Sequence, residues 1–284
     1  MKIRIVLLII TALIISNCLS AEKLDSLHVN RLFNRCVSIG AGYSNILDTY
    51  LSTQKYTGTD IRISRETMRL TKISSGNVSL QNFFQADLSY THNPVDNNNA
   101  FAGMMNWDYG LHYQFRLSDK LKLLAGGQSD MNLGFVYNLH NSNNPASVRA
   151  YVNLDASGMA IWHFNLKKVP MVLRYQLNIP VVGVMFSPEM GQSYYEIFTL
   201  GNSDGVIHLT SLHNQPSVRQ LLSLDLPLGS QELRVSYLAD LQQSHINGIK
   251  THTYSHVLMV GFVKSLYSLH RKDVNKLPAF LQVY

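Results

Sequence analysis

The sequence predicts an all-β protein: an antiparallel, up-and-down barrel of about ten strands that crosses a membrane, with a short helix in its longest outer loop. Three observations predict it. Apolar and polar residues alternate with period two over unusually long segments, long and short connections alternate along the chain, and an export leader precedes everything else.

The leader comes first in the chain. Lys2 and Arg4 precede an apolar run from Ile5 to Ile15, and small residues at Cys18, Ser20 and Ala21 suit a signal peptidase, so residues 1–21 are read as a cleaved signal peptide. The run is too short to span a bilayer, which takes about 20 residues. A lipid-modified Cys18 is the alternative, although Asn17 is a poor residue to precede one. Losing Lys2 and Arg4 lowers the basic count from 24 to 22 against 18 acids, an excess of +4. That mild bias gives no concentrated basic face and argues against a nucleic-acid partner. Cys36 is then the sole cysteine, so no intramolecular disulfide can form. With no linker or low-complexity tract, residues 22–267 read as one barrel domain. Residues 268–284, with basic HRKD and Pro278, read as a C-terminal periplasmic extension.

The strands follow in order near 36–44, 58–70, 79–92, 102–117, 120–138, 147–165, 169–185, 216–227, 231–245 and 250–267. Between Ser147 and Asn165, Val148, Val152, Leu154, Ala160, Trp162 and Phe164 share one face, while Arg149, Asn153, Asp155 and His163 share the other. Leu121 to Asn138, Trp107 to Arg116 and Met171 to Ile179 split in the same way. These strands are longer than the 5 or 6 residues usual in globular sheets. Aromatic residues gather near strand ends at Tyr90, Tyr113, Phe115, Tyr137, Trp162 and Phe164, as interfacial girdles do. The tight joins 118–120, 167–168 and 229–230 oppose the longer connections 45–57, 93–101, 139–146 and 186–215.

Two turns test the register. Asn247 and Gly248 suit a type I′ turn, which pairs Leu241 with Tyr254, Tyr237 with Leu258 and Leu233 with Phe262, apolar against apolar. His256 is the discordant residue, falling beside Ala239 on the apolar face. Gly229 and Ser230 likewise join Leu226 to Leu233.

In the longest connection, Ser193 and Glu196 form a capping box, Tyr194 to Leu200 makes about two helical turns, and Gly201 suits the position after a helix. This helix is expected to fold over or into the mouth, bringing Tyr194, Tyr195 and Glu196 against a charged interior. The alternative is a hairpin of Tyr194–Leu200 and Val206–Leu212, which raises the count to twelve strands.

No constellation of catalytic residues stands out. A serine nucleophile needs a histidine in reach, and neither His252 nor His256 has a serine two residues on. GQSYY lacks the second glycine of a nucleophile elbow. His208, His213, His245 and His252 show no metal-site spacing, and Gly40 with Gly42 lacks the rest of a nucleotide fingerprint. Neither metal nor cofactor is expected.

DTYLSTQKYTG at 48–58, NSNNPAS at 141–147, PVVGVMFSPEMGQSYYEIF at 180–198 and SHINGIKTHTYSHVLMVGFV at 244–263 resemble the domain-of-unknown-function family numbered 3316, exported proteins of Gram-negative bacteria. The resemblance supports an exported barrel and supplies no ligand or catalytic residue. The reading is therefore an outer-membrane barrel with a polar, largely occluded interior and a structural or ligand-binding role at its outer loops. A gated small-solute pore is the alternative, followed by a lipid-modifying enzyme. The residues expected to line the interior or mouth are Tyr194, Tyr195, Glu196, Arg149, Asp155, Arg174, Asp130 and Asp108. The expected partners are outer-membrane lipid and the barrel-assembly machinery, with the ligand unknown.

Overall fold

The structure, a computed structural model, describes residues 32–267 except 143, 168, 229 and 230. The signal peptide, Cys18 and the tail 268–284 lie outside the described residues. Eleven strands run in chain order: β1 (Leu32–Asp48), β2 (Ser52–Leu70), β3 (Val78–His92), β4 (Asn99–Arg116), β5 (Leu121–Asn138), β6 (Ala146–Leu166), β7 (Val169–Phe186), β8 (Ile207–Ser211), β9 (Val218–Leu228), β10 (Gln231–Ile246) and β11 (Ile249–Tyr267). Helix α1 (Tyr194–Phe198) lies between β7 and β8. Each strand from β1 to β7 pairs antiparallel with the next, and β1 pairs with β11 from Leu32↔Tyr267 to Asp48↔Thr251, which closes the sheet. Closure gives every wall strand two partners, the condition for spanning lipid with strands.

One wall position is shared. β7 pairs with β9 through Val172–Asn178 and, nearer the outer end, with β8 through Val182–Phe186. The wall is therefore ten strands round, and β8 is an extra segment set above β9. The expected loop 186–215 is corrected accordingly. Of the alternative hairpin only the second arm is a strand, while Tyr194–Phe198 is helical.

The faces decide what kind of barrel this is. Val37, Ile39, Ile61, Ile63, Leu88, Leu133, Leu258 and Phe262 point outward and are at least 49 % exposed, whereas inward-pointing Asp60, Arg62, Gln81, Asn106, Asp108 and Ser255 are at most 2 % exposed. A water-soluble barrel would bury the first set, so this is the inside-out polarity of a membrane barrel. Trp162 stacks on Phe164 and Tyr113 packs on Phe115 at the end that holds both chain termini. Tyr90 and Tyr137 stand exposed toward the opposite end, so aromatic residues mark both edges of the apolar band.

Turn chemistry sets the register as expected. Asn247 and Gly248 adopt φ of 52° and 75°, and the pairs run from Ile246↔Ile249 to Leu233↔Phe262. His256 is an outward residue beside Ala239, and its Nδ1 lies 2.7 Å from the hydroxyl of Tyr237. Leu226 pairs with Leu233, although residues 229 and 230 lie outside the described residues. The connection 45–57 is corrected to three residues, 49–51, because β1 and β2 continue pairing up to Asp48↔Ser52. Above the apolar band both strand faces meet polar surroundings, so the alternation that reveals a strand disappears there.

Candidate functional site

The interior is stacked in layers. Nearest the end with the termini, Met68, Leu124, Met159 and Ile161 form an apolar layer, with Val172 packed against it. Above it Glu66 on β2 accepts from Arg174 on β7 at 2.8 Å and pairs with Arg234 on β10 at 2.7 Å. Arg234 also grips Asp225 with two bonds of 2.6 and 2.7 Å, the fork geometry that favours arginine. Gln81 joins this group by donating to Glu66 at 2.6 Å and to Gln176 at 3.0 Å. Phe83, Leu221, Leu238, Val257 and Met259 fill the other side of the lumen with a second apolar cluster.

A larger network lies toward the outer end. Arg62 on β2 contacts Asp60 at 3.1 Å, Asp87 at 3.3 Å and Asp240 at 3.1 Å. Asp240, on β10, also meets Arg219 of β9 at 3.3 Å, and Arg219 reaches Asp108 at 3.0 Å and Asp130 at 3.3 Å. One connected set of charges thus links β2, β10, β9, β4 and β5 across the lumen. Asn106, Asn132 and Asn153 each donate to Asp130, the last two at 2.8 and 3.1 Å. Beside this network, Asn153 Oδ1 and Thr210 Oγ1 are buried without partners and close on the bare Cα of Gly183. A Cβ there would collide with the asparagine oxygen and lie 2.8 Å from the threonine oxygen. Asp155 and Gln128 are buried beside them, so a patch of polar atoms adjoins the network.

Loop and rim residues contact one another across the mouth. Leu51, in the β1–β2 turn, packs on Ile46, Ala102 and Val136 inside the rim. Arg149 on β6 reaches Asp48 at 3.2 Å, and Asn141 donates to the carbonyl of Leu51 at 3.0 Å. The hydroxyl of Tyr50 donates to the carbonyl of Gln192 at 2.7 Å, and that of Tyr194 accepts from the amide of Val148 at 2.7 Å. Tyr50 meets Tyr194 edge-on at 5.8 Å, and Tyr194 stacks with Phe186 and Phe198. Burial, with Tyr194 and Asp48 nearby, pushes the Tyr50 hydroxyl up to about 12.

Membership follows from the family comparison, in which the model described as "Protein of unknown function (DUF3316)" matches residues 5–273. The chain belongs to the DUF3316 family. No curated protein matches it. Among solved structures, this DUF3316 barrel is similar to the outer membrane protease OmpT of Escherichia coli (7 % identity, 84 % of this chain and 97 % of that one, TM-score 0.49). It is also similar to the transport unit of the autotransporter AIDA-I of Escherichia coli (10 %, 91 % and 97 %, 0.42) and to the COG4313 outer membrane channel of Pseudomonas putida F1 (8 %, 83 % and 96 %, 0.37).

The sequence-selected residues divide into three groups. Asp108, Asp130, Asp155 and Arg174 are buried inside the DUF3316 barrel, and Arg149 and Tyr194 meet the mouth. Tyr195 and Glu196 do not meet the charged interior. Tyr195 is 62 % exposed, and the carboxylate of Glu196 turns back to accept from the amide of Ser193 at 2.7 Å, completing the capping box. Sequence reasoning missed Asp60, Arg62, Glu66 and Asp87, which carry both networks. It also missed His112 and Ser157, whose Nε2 and Oγ lie 2.8 Å apart. Ser157 donates to Asn178 at 2.7 Å and His112 Nδ1 has no partner, so no third group orients that pair for catalysis.

Proposed function

We propose that this protein is a closed outer-membrane barrel that acts at its outer mouth, binding a ligand or partner there, rather than a conduit for solutes. The observation that carries the reading is the Arg62–Asp240–Arg219–Asp108 chain of ion pairs across the lumen, backed by apolar layers on either side along the axis. A water-filled path would have to break charge pairs that have no solvent to replace them, and breaking one buried pair costs about 3–5 kcal/mol. The mouth supports the binding half of the proposal. Tyr195, Phe198, Leu200 and Met190 are each at least 52 % exposed on a loop held by a capping box and aromatic stacking, so apolar contact area is presented on a fixed frame. Delivery to the membrane by the barrel-assembly machinery belongs to the same proposal.

Planar-bilayer recording tests it. The wild-type protein is expected to give no conductance steps, and readily opening channels would sink the closed reading. A gated pore is the second reading. Its support is the patch of buried polar atoms at Gln128, Asn153, Asp155 and Thr210, which water could reach if the segment 187–206 lifted away. Conductance that appears only when that segment is deleted would favour it.

A further inference from the structure

We propose that the lipid-facing surface of β11, β1 and β2 carries a docking site for the phosphate of an anionic phospholipid, formed by Lys264, Arg35, Arg65 and Arg69. The site lies near the end that holds the chain termini, away from the mouth, and is independent of the binding role proposed above.

The register creates the site. Arg35 lies directly opposite Lys264 on one side and Thr67 on the other. Arg65 and Arg69 flank Thr67 by two residues each way and share its face, which places them diagonally from Arg35 at roughly 7–8 Å. All four cations are exposed on the outward face. Among the described residues no ion pair joins any of them to a carboxylate. Like charges directly opposite on neighbouring strands destabilise a sheet, and against that cost Arg35 has the face of the Phe33 ring 5.9 Å away.

Position along the barrel supplies the anion. Immediately toward the outer end on these strands come outward Val37, Ile39, Ile61, Ile63, Val260 and Phe262, the apolar band itself. The cations therefore stand where hydrocarbon gives way to headgroups, and their long stems can lie along the wall while the charged tips reach the phosphate level. Arginine suits this task because its planar fork takes two oxygens of one phosphate. Elsewhere at the same end the outward strand positions hold Trp162, Tyr113 and Phe115, while the exposed cations Arg116, Lys120 and Lys167 sit singly at strand ends and turns.

The test uses the whole protein, folded into vesicles of phosphatidylcholine with or without phosphatidylglycerol, and reads the heat-dependent gel shift as a melting curve. In phosphatidylcholine alone, R35Q/K264Q is expected to melt above wild type because repulsion is relieved. With phosphatidylglycerol the wild type is expected to rise to or above the variant, while the outer-end control K55Q/K250Q follows wild type. Lipid retained through detergent exchange should be enriched several-fold in phosphatidylglycerol for wild type and not for the variant. Should R35Q/K264Q fail to fold, R65Q/R69Q serves in its place. Equal enrichment in wild type and variant overturns the proposal.

Discussion

Two carboxylates in this chain do opposite jobs, and the sequence made one of the roles legible: the Ser193–Glu196 spacing reads as a capping box, and the structure forms it. Glu196 accepts from the amide and hydroxyl of its own N-cap Ser193, and those bonds hold its carboxyl below the ordinary value. Because the folded value is the lower one, the contribution is complete above the ordinary value near 4.5 and fades as pH falls through the depressed one. Limited proteolysis of the loop 187–206 should accelerate on acidification in wild type, whereas E196A should be cut fast with little further response. Tyr50 gives the mirror case at high pH. Its raised value keeps its bond to Gln192 complete below pH 10, and that support is lost as pH climbs toward about 12. Asp240 is the second carboxylate, shared by Arg62 and Arg219. D240A leaves two buried guanidiniums short of charge and should cost about 3–5 kcal/mol in urea unfolding from detergent. A loss under 1 kcal/mol would show that water already substitutes for the pair.

At the scale of elements, legibility tracks the membrane. Inside the apolar band β4, β5, β6 and β7 showed their period plainly, since one face meets lipid and the other does not. Above it, β1 and β2 ran on as strands through a stretch that reads as polar loop, because no sequence contrast is required where both faces are wet. β2 hid the central Arg62 for a related reason. Asp60, Arg62, Ser64 and Glu66 point inward, but Arg65 and Arg69 point outward, so charge occupies both faces and the alternation blurs. The turn at Asn247–Gly248 was fully legible because its backbone demands particular residues. G248V, which forces a branched side chain to φ of 75°, should cost roughly 1–2 kcal/mol. N247G keeps the turn but removes side-chain bonds to the carbonyls of Ser187 and Gly205, at 3.1 and 3.0 Å. It should leave the melting point unchanged while speeding cleavage near Met190, and a protected loop would mean those bonds contribute little.

For the molecule as a whole, the closed wall predicts a folded form that survives detergent sample buffer cold and shifts on boiling. Its interior charge pairs, shielded from ions, predict that the melting point of R35Q/K264Q, freed of exposed repulsion, barely moves between low and high salt. A strongly salt-dependent melt would place the dominant charges outside. The alternation suggested a polar interior, and that was half the truth, because inward Met68, Leu124, Met159 and Ile161 meet from three different strands as an apolar layer. The shared wall position has a mechanical consequence. Because β8 is joined along the wall only to β7, and β7 keeps β6 on its other side, β8 can detach together with α1 while the closed ring of ten strands stays whole. Loosening at the top of this protein need not reach the wall: amide exchange in 207–211 is expected to run faster than in the strands of the ring, and equal protection of the two would show that β8 moves only with the wall.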